Sequence, residues 1–370
     1  MSAQKFVTKL AAVAGVTVNG SEPWDIQVHD ERFYGRVLRG GSLALGESYL
    51  DGWWDAPALD ELIFKITSAR LDQKIRGSWI LRAQLLTAWF SNRQAGAHAW
   101  DIGPAHYDRG NDLYQAMLDS RLTYSSGYWK NATTLDAAQE AKLDLVCRKL
   151  YLRPGLRVLD IGCGWGSFAK FAAERYGVSV VGITVSKEQW ALAHKLCAGL
   201  PIELKLQDYR ALGGTFDRIV SMGMLEHVGP KNYRTYFDVA RRVLTDDGLF
   251  LLHTIGDLGS HQAIDPWINK YIFPNAVLPS AKQITAGSEG LFVLEDWHNF
   301  GADYDRTLMA WFKNFDAHWP ELMARYDERF YRMWKYYLLS SAGSVRSRLL
   351  QLWQIVLSPR GVRGRYQSLR

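Results

Sequence analysis

The chain has 370 residues, of which 48% are hydrophobic, and it carries a formal net charge of +6 at pH 7. This length and composition can supply hydrophobic cores for two domains, which argues against an intrinsically disordered chain. The sequence has no run of about 18 or more apolar residues and no signal-peptide block, so it predicts a cytoplasmic protein. Its three cysteines, Cys147, Cys163 and Cys197, lack CxxC spacing and predict reduced thiols without a zinc site.

The opening region, residues 1–95, is small and rich in tryptophan. Apolar residues recur there at roughly helical spacing, with Lys and Arg between them. They are Leu59, Leu62, Ile63, Ile66, Ile75, Trp79, Leu85, Leu86 and Trp89. A basic amphipathic helix can lie on a bilayer, but we favour packing against the chain's own core or a second subunit. We expect residues 1–95 to form a lipid-interaction or dimerisation domain, linked near Gly96 to a catalytic domain of residues 96–370.

From about residue 136 onwards, predicted helices and strands alternate. The strands are expected at 157–161, 179–184, 202–207, 218–222 and 248–253, and the helices at 135–150, 167–176, 186–197 and 232–244. This alternation indicates an α/β fold with a doubly wound, mostly parallel sheet. Ligands of such sheets bind at the carboxyl ends of the strands, where the strand order reverses.

A glycine-rich loop joins the first of these strands to the following helix. Gly162, Gly164 and Gly166 allow a tight turn and a close approach of the backbone to a ligand. The spacing is GxGxG, whereas a dinucleotide-binding loop has GxGxxG. Asp160 precedes the first glycine by two residues and can attract the cationic part of S-adenosylmethionine. We therefore predict an S-adenosylmethionine site, with a nicotinamide site or a purely structural turn as the alternatives.

Residues after the second and third strands extend this predicted site. Thr184 and Gln189 follow the second strand, where ribose hydroxyls bind in such sheets, and Asp208 with Tyr209 follows the third, where the adenine amine binds. No Asp or Glu ends the second strand, so Gln189 is expected to serve the ribose by neutral hydrogen bonds.

The end of the chain is basic, with nine Lys or Arg and no Asp or Glu from Arg329 to Arg370. This block also contains Trp334, Tyr336, Tyr337 and Trp353. Trp or Tyr beside Arg or Lys suits a surface that touches lipid headgroups. The pattern favours peripheral contact with the inner face of a membrane. A solvated helix with a basic tail and a nucleic-acid patch are the alternatives.

Several specific stretches occur in the order found in one enzyme family. They are residues 106–114, 122–129, 225–233, 251–256, 265–274 and 296–304, together with the glycine loop. Over nearly its whole length the chain resembles the cyclopropane-fatty-acyl-phospholipid synthases, relatives of the mycolic acid cyclopropane synthases. The resemblance implies the S-adenosylmethionine-dependent methyltransferase fold with a smaller N-terminal domain. It also implies a homodimer that converts the cis double bond of a phospholipid acyl chain to a cyclopropane.

The same resemblance implies roles for individual residues. Tyr124 and Ser125 would contact the cofactor from a segment that caps its pocket, alongside Gly162, Gly164 and Gln189. A bicarbonate ion would act as general base. The residues that would hold this ion match Glu226, His253, Ile255 through its backbone, Tyr304 and Ser126.

Two serines replace cysteines of some relatives. Ser126 occupies one such position, where serine still offers a backbone N–H and a small hydroxyl. Ser341 matches a second cysteine that is sometimes considered catalytic in the family. If that thiol were the essential base, this chain would be inactive. We infer that the thiol is not the essential base.

The residues also allow simpler interpretations. Glu226 and His227 could be a metal pair, but no HExxH motif or second ligand cluster accompanies them, so no metal site is predicted. His253 and Tyr304 could be core residues. The alternative enzyme transfers a methyl group without ring closure, either to an acyl chain, giving a branched lipid, or to a small polar molecule. Transfer to an oxygen or nitrogen needs no base for a carbon-bound proton. The non-enzymatic alternative is a membrane-surface or nucleic-acid-binding module, which leaves the glycine loop unexplained.

Overall fold

The computed structural model of the chain describes residues 2–70 and 110–370. The apolar positions predicted from Ile75 to Trp89, the linker at Gly96 and the domain boundary between 95 and 96 lie outside the described residues. The described chain forms two compact units, each built from three segments. The first contains the described residues up to 70, Ala263–Pro274 and Tyr304–Leu350; the second contains residues 110–262, Asn275–Asp303 and Gln351–Arg370. The sequence did not predict that the two later segments join the N-terminal residues.

Helices and strands alternate through most of the described chain. The helices are α1 (Ala3–Val13), α2 (Arg32–Leu50), α3 (Leu59–Ser68), α4 (Asn111–Met117), α5 (Leu135–Lys149), α6 (Ser167–Tyr176), α7 (Lys187–Leu196), α8 (Leu225–Val228), α9 (Tyr233–Val243), α10 (Pro266–Tyr271), α11 (Ala281–Ser288), α12 (Ala302–Ala317), α13 (Trp319–Leu322) and α14 (Glu328–Arg346). The strands are β1 (Gln27–Val28), β2 (Trp54–Asp55), β3 (Arg157–Ile161), β4 (Ser179–Thr184), β5 (Ile202–Leu206), β6 (Phe216–Met222), β7 (Leu244–Asp257), β8 (Val293–Asn299) and β9 (Leu350–Ser358).

The first unit is built around the contact of α3 with α14. Leu59, Leu62 and Ile63 of α3 are buried and Ile66 is half-buried, so most of the described part of the predicted apolar stripe packs inside this unit. Gly343 of α14 permits the close approach, because a Cβ there would collide with backbone atoms of α3. Arg346, at the end of α14, forms ion pairs of 2.8–3.1 Å with three carboxylates of this unit, those of Asp60, Glu61 and Asp305.

The aromatic side chains of the basic C-terminal block lie inside the protein and not on its surface. Trp334, Tyr336, Tyr337 and Trp353 are each 6% exposed or less, so these rings form core contacts and the prediction for them is wrong. Five of the nine basic residues form ion pairs with carboxylates from other parts of the chain. They are Arg329, Arg332, Arg346, Arg360 and Arg370. Charges paired in this way attract anionic lipid less than the sequence count suggests.

The second unit contains a seven-stranded sheet with the strand order β5-β4-β3-β6-β7-β9-β8. The pairs β5–β4, β4–β3, β3–β6 and β6–β7 are parallel, whereas β8 and β9 are antiparallel. The predicted doubly wound, mostly parallel sheet is thus confirmed. The chain runs outward from β3 through β4 to β5 and then returns to β6 on the other side of β3. The strand order therefore reverses between β3 and β6.

Alternation along the central strands explains why helices cover both faces of the sheet. Val158 of β3 packs with Leu143 and Phe168 on one face, while its neighbour Leu159 packs with Phe237 on the other face. Successive side chains of a strand point to opposite faces, so a strand that is apolar throughout needs cover on both. Burial of each large apolar side chain contributes about 1.5–3 kcal/mol.

Local signals set the ends of the helices that surround the sheet. The side chains of Thr134 and Ser186 accept hydrogen bonds from backbone N–H groups at the starts of α5 and α7. Gly177 ends α6 in the left-handed conformation, with φ of 64°. These signals explain why the predicted helices 135–150, 167–176 and 186–197 agree closely with the observed ones.

Candidate active site

The second unit has a pocket at the carboxyl ends of β3, β4 and β6, where the strand order reverses. The glycine loop after β3 forms one wall, residues 122–125 form another, and residues 222–224 with His227 form a third. Nine of the ten residues predicted to bind the cofactor line this pocket. They are Tyr124, Ser125, Asp160, Gly162, Gly164, Thr184, Gln189, Asp208 and Tyr209.

Positive φ angles at all three glycines shape the loop after β3. Gly162, Gly164 and Gly166 have φ of 83°, 55° and 81°, in the region that side chains with a Cβ rarely adopt. Gly166 is the predicted residue that does not line the pocket. A Cβ on Gly166 would lie 2.7 Å from Sγ of Cys197, so this glycine allows the loop to pack against the end of α7.

Asp160 brings a buried carboxylate to the pocket. Its side chain is 1% exposed, and its Oδ2 atom has no hydrogen-bond partner among the described residues. Burial raises the pKa of Asp160 to about 7, while the positive charge of Lys142 acts in the opposite direction. A buried carboxylate without a direct partner favours a ligand that carries positive charge.

Polar groups follow the next two strands. Thr184 Oγ1 donates to Gln189 Oε1 at 3.0 Å, and both residues are buried at the start of α7. Asp208 accepts two hydrogen bonds from the guanidinium of Arg210. Burial of Asp208 disfavours its charge, but the Arg210 hydrogen bonds outweigh burial and lower its pKa. Asp208 is therefore an ionised acceptor at neutral pH, where the sequence predicts the adenine contact.

The segment that includes Tyr124 and Ser125 is held by α5. Gln139 donates from Nε2 to the carbonyl oxygens of Thr123 and Ser125, at 3.2 and 2.7 Å. Lys142 donates from Nζ to Ser125 Oγ at 2.8 Å. Gln139 and Lys142 are both fully buried. The segment thus rests on buried polar side chains as well as on its own turn.

Glu226 lies just beyond the end of β6, and His253 lies in the neighbouring parallel strand β7, paired with Met222 at the end of β6. Glu226 follows β6 in α8 and accepts the backbone N–H of Ile255, in β7, at 2.7 Å through Oε1. Oε2 of Glu226 and Nε2 of His253 are buried and have no partner among the described residues. Glu226 adjoins His227 in the chain, and His227 lines the pocket. Glu226 and Ile255 are therefore in direct contact, and Glu226 is adjacent in sequence to a residue that lines the pocket.

Burial governs the charge of both groups. It raises the pKa of Glu226 to about 7, against backbone hydrogen bonds that favour the carboxylate. It lowers the pKa of His253 well below the usual range, and the positive charges of Lys142 and Lys149 act in the same direction. His253 is therefore neutral at physiological pH, while Glu226 titrates near neutrality.

Gln354 of β9 is a residue of this cluster that sequence reasoning missed. It is fully buried, and its Nε2 atom lies 3.4 Å from Nδ1 of His253. An amide nitrogen only donates, so Nδ1 accepts and neutral His253 carries its proton on Nε2. The unpartnered Nε2 of His253 is thereby a hydrogen-bond donor, while the unpartnered Oε2 of ionised Glu226 is an acceptor.

Three predicted residues remain, namely Ser126, Tyr304 and Ser341. Ser126 is buried in the second unit, directly after the cofactor segment, and its Oγ donates to the carbonyl of Gly127. Tyr304 and Ser341 belong to the first unit. Tyr304 is buried on α12 and its ring contacts Trp311, whereas Ser341 is half-buried on α14. Their predicted roles stay predictions.

Two further findings concern the described residues only. None of the helices within 2–70 and 110–370 has the length and apolarity needed to cross a bilayer. No group of three or more His, Cys, Asp or Glu side chains there could hold a metal ion.

Comparison with known proteins gives a family match and close relatives. Residues 95–355 match the family model of mycolic acid cyclopropane synthetase. The cyclopropane-fatty-acyl-phospholipid synthase of Escherichia coli K12 is 53% identical, over 97% of this chain and 94% of the relative.

Solved structures give matches that agree with these relatives. A structure of the cyclopropane synthase MmaA2 from Mycobacterium tuberculosis aligns with a TM-score of 0.66 and 33% identity, over 70% of this chain and 97% of the other. A structure of the mycolic acid cyclopropane synthase CmaA1, complexed with SAH and CTAB, aligns with the same score, identity and coverage.

Proposed function

Because the chain belongs to the family of cyclopropane-fatty-acyl-phospholipid and mycolic acid cyclopropane synthases, which use S-adenosylmethionine, we propose that it converts the cis double bond of a phospholipid acyl chain to a cyclopropane. One observation carries the proposal. Glu226 is next in sequence to His227, and His253 pairs with Met222 in the sheet; both His227 and Met222 line the pocket. Glu226, His253 and the pocket residue Asp160 each have a buried polar atom without a partner among the described residues. Simple methyl transfer to oxygen or nitrogen does not need a base for a carbon-bound proton.

The pocket residues suit S-adenosylmethionine. The unpaired oxygen of Asp160 would attract the positive charge of the cofactor. Gln189 and Thr184 offer neutral hydrogen-bonding groups for the ribose, and ionised Asp208 would accept a hydrogen bond from the adenine amine. The related synthase whose structure is described as complexed with SAH supports this assignment.

The first chemical step forms a carbon–carbon bond. The π electrons of the alkene attack the sulfonium methyl carbon, the carbon–sulfur bond breaks, and neutral S-adenosylhomocysteine leaves. A carbocation then remains on the acyl chain. An alkene is a weak nucleophile, so much of the rate must come from holding the two reactants in line. We assign this positioning to the residues around the pocket, including the segment with Tyr124 and Ser125.

The second step removes one proton from the new methyl group as the ring closes. The electron pair of that C–H bond forms the third ring bond and neutralises the cation. A base is needed for this proton. Bicarbonate would supply a small base there that cannot be trapped permanently as an ester with the chain.

The residues of the base-holding cluster fit bicarbonate. This ion carries an O–H donor and several acceptor oxygens. Oε2 of ionised Glu226 can accept a hydrogen bond from the O–H of bicarbonate, and Nε2–H of His253 can donate to one of its oxygens. Both protein atoms are buried and have no partner among the described residues. We propose that Ser126, Ile255 and Tyr304 complete the set, as the family resemblance implies. Ser341 has no proton-transfer role in this proposal, since an unactivated hydroxyl is a poor base at neutral pH.

We further propose that the protein acts at the cytoplasmic face of the membrane as a peripheral homodimer. The substrate class supports membrane contact, because the double bond of a phospholipid lies within the bilayer. The ion pairs of the C-terminal block argue against that block as the main contact. The N-terminal region therefore remains the proposed site of lipid interaction or dimerisation.

The function is tested by incubating the protein with S-adenosylmethionine and vesicles of unsaturated phospholipid, followed by analysis of the fatty acids. A gain of one CH₂ with loss of the double bond supports the proposal. A gain of one CH₂ with the double bond retained would instead identify a methyltransferase without ring closure. Turnover is also measured with bicarbonate removed and restored. Unchanged turnover without bicarbonate would overturn the assignment of the base while leaving that of the reaction intact.

A further inference from the structure

Helix α5 buries two lysines on the face that packs against the sheet. Lys142 and Lys149 are seven residues apart, two helical turns, and neither is exposed. Lys149 lies 3.5 Å from a carboxylate oxygen of Asp296 and 3.1 Å from His298 Nδ1. Lys142 has no carboxylate oxygen within 4 Å among the described residues. A buried ammonium without a direct ion pair is costly to maintain, which indicates a specific role.

The contacts of Lys142 lead to the wall of the cofactor pocket. Its Nζ atom donates to Ser125 Oγ at 2.8 Å and lies 3.9 Å from Met222 Sδ. Ser125 and Met222 both line the pocket, one from the capping segment and the other from the end of β6. The ammonium therefore lies directly behind the pocket and links the capping segment to the sheet.

Lys142 also interacts electrostatically with the charged groups around it. Asp119 and Asp160 favour its protonated form, while burial is the larger effect and lowers its pKa to about 7. In return, Lys142 lowers the pKa of Asp160 and of His253. Burial and the charge of Asp160 raise the pKa of the Cys163 thiol, which belongs to the glycine loop. The charge of Lys142 is thus coupled to that of the pocket carboxylate.

We propose that Lys142 is a positioning residue for cofactor binding, which holds Ser125 in the pocket wall and stabilises the negative charge of Asp160. The inference rests on the proposed function, since it assumes that this pocket receives S-adenosylmethionine. The inference adds to the cofactor site a residue of α5, Lys142, which lies behind the pocket wall and does not itself line the pocket. Gln139, one turn earlier, fixes the backbone of the same segment, so Lys142 contributes the side-chain contact and the charge.

Loss of this charge has a pH signature that loss of packing does not have. Asp160 and Lys142 both have a pKa of about 7 and titrate as a coupled pair. We expect the wild-type affinity for a ligand with a positively charged amino group to rise with pH in this range, as the carboxylate ionises. Without the nearby ammonium, the pKa of Asp160 is higher, so the rise in affinity moves to higher pH. A variant that only loosens the fold lowers affinity without moving this midpoint.

The test compares Lys142→Met with Lys149→Met, a matched removal of a buried lysine from the same helix face. The dissociation constant for S-adenosylhomocysteine is measured by calorimetry from pH 6 to 9, with thermal unfolding as a check on folding. We expect Lys142→Met to weaken binding at pH 7 by about tenfold or more and to move the midpoint upward. Lys149→Met is expected to keep the wild-type midpoint. If Lys142→Met binds as the wild type does at every pH, the inference is wrong.

Two further variants keep the test decisive if Lys142→Met fails to fold. Lys142→Gln retains an N–H donor for Ser125 but no charge, so it should move the midpoint with a smaller loss of affinity. Ser125→Ala removes the side-chain contact but leaves the charge of Lys142, so it should weaken binding without moving the midpoint. An unmoved midpoint in Lys142→Gln would contradict the proposal. Failure of the wild type itself to bind S-adenosylhomocysteine would instead reject the proposed cofactor pocket.

Discussion

Replacing Glu226 with glutamine removes one charge and changes little else. Glutamine has nearly the same shape and can keep the acceptor that binds the N–H of Ile255, at 2.7 Å in the wild type. It replaces Oε2, the unpartnered acceptor, with an NH₂ donor. The variant is therefore expected to bind S-adenosylmethionine normally but to hold the base in the wrong orientation.

The size of the effect follows from what the residue does. A correctly placed acid or base contributes about 10²–10⁴-fold to turnover, which corresponds to about 2.7–5.4 kcal/mol of activation free energy. Stability should not fall by a similar amount. Burial raises the pKa of Glu226 to about 7, so folding the ionised form is unfavourable and the neutral glutamine avoids that cost.

Turnover is measured from labelled S-adenosylmethionine incorporated into phospholipid, and cofactor affinity by calorimetry with S-adenosylhomocysteine. At saturating S-adenosylmethionine, where the titration of Asp160 does not limit binding, wild-type turnover should rise as pH increases through about 7, where Glu226 ionises. This rise should disappear in Glu226→Gln. Glu203→Gln is the matched control, because Glu203 is exposed and its one ion pair within the described part of the chain is with Lys205. Turnover of Glu226→Gln close to that of the wild type would refute the assignment of this carboxylate.

Three other substitutions test separate parts of the structure. Gln354→Leu removes the donor to Nδ1 of His253, so either nitrogen of the ring can carry the proton. Turnover should fall about tenfold while S-adenosylhomocysteine still binds, and an unchanged rate would reject the role of Gln354. Arg346→Met leaves three partly buried carboxylates without their cation. It should lower the free energy of unfolding by about 1–3 kcal/mol in denaturant titrations, whereas vesicle binding should not change. Gly166→Ala combines a φ of 81° with a 2.7 Å approach to Cys197 Sγ, and should destabilise the protein by about 1–3 kcal/mol; equal thermal stability would contradict the proposed packing of the loop.

The features that the sequence predicted are those encoded by short, continuous stretches. The strand, the GxGxG loop and the helix of residues 157–176 follow one another directly, so their pattern locates both the turn and Asp160. The same holds for Thr184 and Gln189, because Ser186 begins the next helix by accepting a backbone N–H. The pocket could be located because three such strand-to-helix turns meet where the strand order reverses.

The features that were missed depend on contacts between distant parts of the chain. Gln354 is 101 residues from His253, and its strand pairs antiparallel with β8 at one end of the sheet, where helix–strand alternation gives no signal. The aromatic residues of the basic block were expected at the surface, but tertiary packing buries them. A clue to Lys142 did exist, since it lies at helical spacing from Ala138 and Val146 on the apolar face of α5.

The central claim is that one carbon-bound proton leaves the transferred methyl group with the help of the cluster around Glu226 and His253. It is tested most directly by supplying S-adenosylmethionine whose sulfonium methyl carries three deuterium atoms, and by measuring the mass of the modified acyl chains. The account predicts a cyclopropane that retains two of the three. Retention of all three, in a chain that is methylated but not cyclised, would contradict it.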